Sequence, residues 1–204
     1  MSKYPIIVFE GIEWSGKTTQ INNLSKYLKK NKIKFINIRD PGGNKNSERI
    51  RKLILSNKSS LNFKTDFLLY LASRSENIEK VIKKNYRKKI IIIDRFIDST
   101  IAYQHYGMGI NSKLINSINK FLLGKIKVDI VFINTVNKKN LLYRLKKRKN
   151  KNKYDKFNFN FYRKVQNGFL KISRNKKKYI LINSNNSLKN NKKIIIQKVN
   201  KIIK

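Results

Sequence analysis

Short apolar runs alternate along this chain with longer stretches in which apolar residues recur every third or fourth position. Residues 4–9, 33–38, 89–94, 128–133 and 179–182 are short and rich in Ile, Val and Phe, as strands are. The run Ile90-Ile91-Ile92-Ile93 has no polar alternation, which is how a parallel strand buried on both faces reads. Ile21, Leu24 and Leu28 mark a helix over 17–30. Further helices are expected over 47–55, 63–84, 96–103, 114–123, 138–149 and 159–173, with one more at the end of the chain. Residues 150–158 lack apolar periodicity and read as a loop. Strands alternating with helices imply βαβ units. The expected fold is α/β: a three-layer sandwich with a five-stranded parallel sheet, helices on both faces, and ligands at the carboxyl ends of the strands. No fixed-period repeat or linker interrupts the 204 residues, so one domain over 1–204 is expected.

The turn after the first strand carries the first chemistry. Gly11-Ile12-Glu13-Trp14-Ser15-Gly16-Lys17-Thr18 fits G-x-x-x-x-G-K-[ST] in full, between a strand and a helix. The glycines let backbone wrap around phosphate oxygens, and N–H groups at the helix start favour anions. Lys17 can reach the β- and γ-phosphates, and Thr18 offers a hydroxyl to Mg²⁺. The motif marks a P-loop NTPase-type fold but does not choose among kinases, GTPases and motor ATPases.

Two more clusters fall at expected strand ends. Arg39-Asp40-Pro41-Gly42-Gly43 follows the second strand, where a guanidinium could hold a phosphate bidentately; it also reads as a capped turn. Asp94-Arg95 ends the isoleucine strand. Asp94 there can hold Mg²⁺ through water, or can cap the helix that begins near Phe96. Arg95 would face transferring or accepting phosphates.

Composition narrows the setting. Cysteine is absent, which excludes disulfides and thiolate metal sites and makes the cytoplasm the expected location. No apolar run nears the roughly 20 residues of a membrane span, so no membrane partner is expected, and residues 4–9 are too short for a secretory signal. The net charge of +38 admits two readings. Clustered Lys and Arg would suit a nucleic acid. Here, however, Lys is spread along the whole chain with Asn and Ile, all encoded by A/T-rich codons, so no specific nucleic-acid partner is expected.

FEGIEWSGKTTQ, RDPGG and DRFIDSTIAYQ followed by GMGI, in this order and spacing, resemble the bacterial thymidylate kinases. The stretch FNFYRKVQNGFLKI is similar to that family's helix after its lid. The resemblance implies ATP-dependent phosphorylation of dTMP, Mg²⁺ with the ATP, a lid near 144–158, and a homodimer. It implies that Arg39, Arg74 and Arg95 grip the acceptor phosphate, with Arg51 nearby. Tyr70 would stack on thymine and Arg74 would reach the base edge. Ser99, Tyr103 and Gln104 would line the base and sugar pocket, with Tyr103 excluding a 2′-hydroxyl. Glu13 would approach the 3′-hydroxyl.

Arg144 and Arg148 match arginines leading into the lid, though a solvated helix face is an equal reading. The family's lid acid–Arg pair falls at Asn152-Lys153 in Asn152-Lys153-Tyr154-Asp155, so Lys153 would meet ATP as a point charge without a bidentate fork. Trp14 excludes the family's other solution, an Arg within the phosphate loop. Two other functions remain open at this point: another P-loop phosphotransferase, and a basic nucleic-acid-binding relic.

Overall fold

The computed structural model describes residues 4–147 and 152–203. The chain runs β1 (Ile6–Glu10), α1 (Lys17–Lys30), β2 (Phe35–Arg39), α2 (Lys45–Leu55), α3 (Phe63–Asn77), α4 (Lys83–Asn85), β3 (Ile90–Asp94), α5 (Ile97–Thr100), α6 (Ser112–Leu123), β4 (Ile130–Thr135), α7 (Lys138–Lys146), α8 (Phe159–Ser173), β5 (Tyr179–Asn183) and α9 (Leu188–Asn200). All strand pairs are parallel, in the order β2-β3-β1-β4-β5.

That order decides which helix covers which face. Crossovers between parallel strands are right-handed. The step from β1 to β2 runs toward one edge, and the later steps run toward the other. The β1–β2 crossover therefore lies on one face and the later ones on the opposite face. Side chains alternate to match. Ile7, Phe9, Ile90, Ile92, Ile130 and Phe132 pack with Ile21, Leu24 and Leu28 of α1 and Ile195 and Val199 of α9. Ile6, Val8, Ile91, Ile93, Val131 and Ile133 pack with Ile54, Ile78, Leu141, Val165 and Phe169 on the other side. Burial on both faces explains why the isoleucine strand shows no polar alternation.

Strand limits move by one or two residues from those expected, and two helices change character. After α3 the chain widens into a π-helical turn, Ile78–Ile82, so the helix expected over 63–84 is not uniform. After α5 it widens again over Ile101–Gly107. This second π stretch buries Tyr103 and Gln104 and lies against α8 at Gly168, where an added Cβ would come 2.6 Å from the Tyr106 ring. Helix α7 ends at Lys146; the expected extension to residue 149 falls partly outside the described residues. The loop expected over 150–158 holds a 3-10 turn, Lys153–Lys156, closed by reciprocal caps between Asn152 and Asp155. A capping pair carries no apolar period, which is why periodicity misses it.

The register pairs Arg39 with Asp94 and Phe9 with Asp94. The ends of β1, β2 and β3 thus deliver Glu10, Arg39 and Asp94 to one edge of the sheet. No helix among the described residues is long and apolar enough to cross a membrane.

Candidate active site

The phosphate loop leaves β1 at Gly11, whose φ is 133°. A Cβ there would lie 2.3 Å from the Asn134 carbonyl oxygen, so only glycine fits. Gly16, also left-handed, opens α1. Lys17 Nζ donates to the loop's own carbonyls, Gly11 O at 3.0 Å and Ile12 O at 2.8 Å. Burial lowers its pKa to about 8, with Arg95 adding to the effect and Asp94, Glu13 and Glu10 opposing it. The side chains of Ile12 and Ser15 do not face a ligand. Ile12 joins the core, and the Ser15 hydroxyl donates to Ile12 O at 2.8 Å. Only their main chain is left to meet a ligand.

A cleft of about 540 Å³ runs over this loop. Leu188, Asn191, Ser184 and Arg144 line one part, Gly16, Lys17, Thr18 and Asp94 another, and Pro41, Arg51, Leu55 and Tyr70 a third. Asp94 does not cap α5; the Phe96 and Ser99 N–H groups there bond to Glu10. Its Oδ1 is buried without a partner, and its side chain shares the cleft wall with the exposed Thr18. An orphaned carboxylate oxygen and a hydroxyl lining one cleft fit Mg²⁺. The described residues contain no cluster of three or more His, Cys, Asp or Glu, so phosphate oxygens and water would complete the coordination.

Arg95 is placed by strain and by partners. Its φ is 66°, and its N–H donates to Phe9 O at 2.9 Å. Nη1 donates to Gly11 O at 2.8 Å and Nη2 to Glu13 Oε1 at 3.0 Å, while the guanidinium lies 5.1 Å from the Tyr103 ring centre. Burial works against its charge, but Tyr103, Glu13, Asp94 and Glu10 outweigh that and hold it protonated more firmly than usual. Glu13 also accepts from the Tyr103 hydroxyl. Glu10, which the motifs did not single out, holds the next corner. Its Oε1 accepts from Phe96 N at 2.8 Å and Ser99 N at 3.1 Å, and its Oε2 from the Ser99 hydroxyl. Burial and Asp98 raise its pKa to about 7. Its role at this corner leaves no local pattern, because the groups it caps are over 80 residues away.

A narrower pocket opens beside Glu13 and Arg95, lined by Tyr70, Arg74, Ser99, Tyr103 and Gln104, with Tyr154 among its walls. It gathers most of the expected acceptor residues. Arg74, however, is 1% exposed and bonds to Asp40 at 2.7 Å, Asn119 at 2.9 Å and Phe96 O at 3.1 Å. It is a strut in the pocket wall, with only two of its five N–H groups left over. The Ser99 hydroxyl is likewise committed to Glu10. Arg39 does not line this pocket. It pairs with Glu48 at 2.8 Å and borders an adjoining groove with Arg51, Thr18, Asp94 and Arg95. Arg51 lines both groove and cleft and donates to Pro41 O at 2.8 Å.

On the lid side, Arg144 donates to Trp14 O at 2.7 Å and Ser184 O at 2.9 Å while lining the cleft, so it is not a solvated face. Arg148 lies outside the described residues. Lys153 departs from the expectation that it faces ATP phosphates: Nζ contacts both Asp66 oxygens, at 2.6 and 2.9 Å. Asp66 is buried, and among the described residues Lys153 is the cation that reaches it. Tyr154, in the stretch that reads as a loop, is also a wall residue; its ring meets those of Tyr70 and Tyr103 edge-on, at 6.0 and 6.2 Å.

A parallel sheet with a phosphate loop, a strand-end Asp-Arg pair and a second pocket abutting the loop defines a P-loop phosphotransferase of the nucleotide kinase class. The family model described as Thymidylate kinase matches residues 9–195. A thymidylate kinase of Thermosipho africanus is 40% identical over 185 residues, covering 90% of this chain and 92% of its own length. One from Wolbachia sp. subsp. Brugia malayi is 38% identical, covering 96% and 94%. The crystal structure of thymidylate kinase from Ehrlichia chaffeensis superposes with a TM-score of 0.78 at 32% identity, covering 97% of this chain and 98% of that one. The chain belongs to the thymidylate kinase family, the ATP-dependent phosphotransferases that phosphorylate dTMP.

Proposed function

We propose that this protein transfers the γ-phosphoryl group of ATP to the phosphate of dTMP, giving dTDP and ADP, as a cytoplasmic homodimer. The observation that carries this is the junction of two binding spaces: the cleft over Lys17 and the pocket of Tyr70 and Tyr103 share Glu13, Arg95 and Tyr70 as common walls. Two nucleotides lying in them meet phosphate to phosphate. Lys17 neutralises the donor phosphates and Arg95 the acceptor phosphate, which removes their repulsion and aligns them. The attacking oxygen belongs to an ionised phosphate, so no general base is required. Mg²⁺, held through Thr18 and Asp94, would neutralise charge on the β- and γ-oxygens. Tyr70 stacks on the base, Tyr103 and Gln104 close the sugar side, and Tyr154 excludes water from the junction.

A coupled assay with purified protein, Mg-ATP and dTMP tests this, with dUMP, dGMP and shikimate as competing acceptors. Strong preference for dTMP is expected. Equal use of dGMP or of the alcohol shikimate would overturn it. The homodimer reading is supported by Leu53, Phe63, Leu68, Leu114 and Phe121, exposed on α2, α3 and α6; Phe121 is 83% exposed. Phe121→Glu should give a monomer in sedimentation velocity, and an unchanged dimer would remove α6 from the interface.

A further inference from the structure

Trp14 lies in the phosphate loop with φ 61°, a left-handed conformation that bulky side chains rarely adopt. Such strain persists only where the surrounding structure imposes it, and it clusters where a ligand is held. Here two neighbours grip the residue. Its carbonyl oxygen accepts from Arg144 Nη1 at 2.7 Å. Its indole Nε1 donates to Asp155 Oδ1 at 3.1 Å, across 141 residues of chain. The other oxygen of Asp155 accepts from Asn152 N at 2.8 Å and so closes the Lys153–Lys156 turn. One carboxylate thus shapes the turn and ties it to the phosphate loop. On its far flank the turn is anchored by Lys153 to Asp66 at 2.6 Å, and Tyr154 packs between Tyr70 and Tyr103. Asn152, Tyr154 and Trp14 all line the cleft above Lys17.

We propose that Trp14 is a positioning residue: its indole N–H docks the 153–156 turn onto the phosphate loop through Asp155 and so builds the roof over the ATP phosphates. Trp14 acts through Asp155 and does not touch the reacting atoms. The indole reaches from the left-handed loop position to the turn, whose carboxylate receives it. Lys153, turned to Asp66, serves the same docking from the acceptor side. The inference rests on the ATP-binding half of the proposed function and adds how this chain holds its roof in place.

The test is a double-mutant cycle read by calorimetric titration with Mg-ATP. Trp14→Phe keeps the aromatic ring and removes only the donor; Asp155→Asn weakens the acceptor. Each is expected to weaken ATP binding about tenfold, the scale for one hydrogen bond to a charged group. The double variant should bind no worse than Asp155→Asn, which also touches the Asn152 cap, since the indole hydrogen bond is already lost there. dTMP affinity should fall less than ATP affinity, since Trp14 lines the cleft and not the narrower pocket. Singles that bind ATP like the parent, or effects that multiply in the double variant, would overturn the proposal. A second readout uses the chain's one tryptophan. Acrylamide should quench Trp14 emission more readily in Asp155→Asn, and unchanged quenching would count against the docking. A parent protein that binds ATP yet leaves dTMP unphosphorylated would remove the functional reading, and the affinity cycle would still decide the role of Trp14.

Discussion

Arg74 and Asp40 form an ion pair of 2.7 Å with both side chains almost wholly withdrawn from solvent. The pair joins α3 to the turn after β2 and forms part of the wall of the narrower pocket. Burial pushes the Asp40 carboxyl above its ordinary range, while Arg74 and Asn77 pull it back. Neither partner is comfortable without the other.

Removing one partner alone should therefore cost about 3–5 kcal/mol, because an uncompensated charge stays buried. Arg74→Met and Asp40→Asn should each lower the unfolding free energy by that amount at pH 7, read as a lower urea midpoint at unchanged m. An unchanged midpoint with weaker dTMP binding would make Arg74 a ligand contact and not a strut.

Lys17 should make activity and stability respond to alkali with opposite signs. Its pKa in the folded protein, about 8, lies below its ordinary value of 10.5. Above pH 8 the ammonium that meets ATP is lost, so kcat/KM for ATP should fall about tenfold per pH unit. Over the same range the unfolded chain holds this proton and the folded chain does not, so this group's contribution to stability rises with pH. Comparing pH-dependent unfolding of the parent with Lys17→Met isolates it: the rise between about pH 8 and 10.5 should vanish in the variant, which should also lose most turnover. Retained turnover within a few-fold would displace Lys17 from the phosphate site.

Asp94→Asn should raise the Mg²⁺ concentration for half-maximal turnover by about 10–100-fold, the range for a group that holds a metal through its bound water. The orphaned Oδ1 is the reason to expect it. A chelator should abolish turnover of the parent, and a Mg²⁺ titration unaffected by the substitution would exclude Asp94 from the metal site.

Tyr70 borders both binding spaces and meets Tyr154 edge-on. Tyr70→Ala should weaken dTMP binding by about 1–3 kcal/mol, roughly 5- to 150-fold. The KM for ATP should barely change. Equal losses for both substrates would mean that Tyr70 only supports the fold.

What the sequence determined by itself depends on local geometry. The isoleucine strand, the glycine-framed loop ending in Lys17, and the Asp94-Arg95 corner were legible because strand period, glycine's freedom and helix-start chemistry act over a few residues. The cleft over Lys17 follows from them, since parallel strands end on one edge. Which charges meet is set by the packed fold. With 49 basic and 11 acidic side chains, spacing cannot say that Asp40 takes Arg74 or that Asp66 takes Lys153. It cannot say that Glu10, and not Asp94, caps the turn into α5, or that the Trp14 indole finds Asp155. These pairings are chosen by the burial that packed helices impose on polar groups dozens of residues apart, and burial exists only once the sheet is covered.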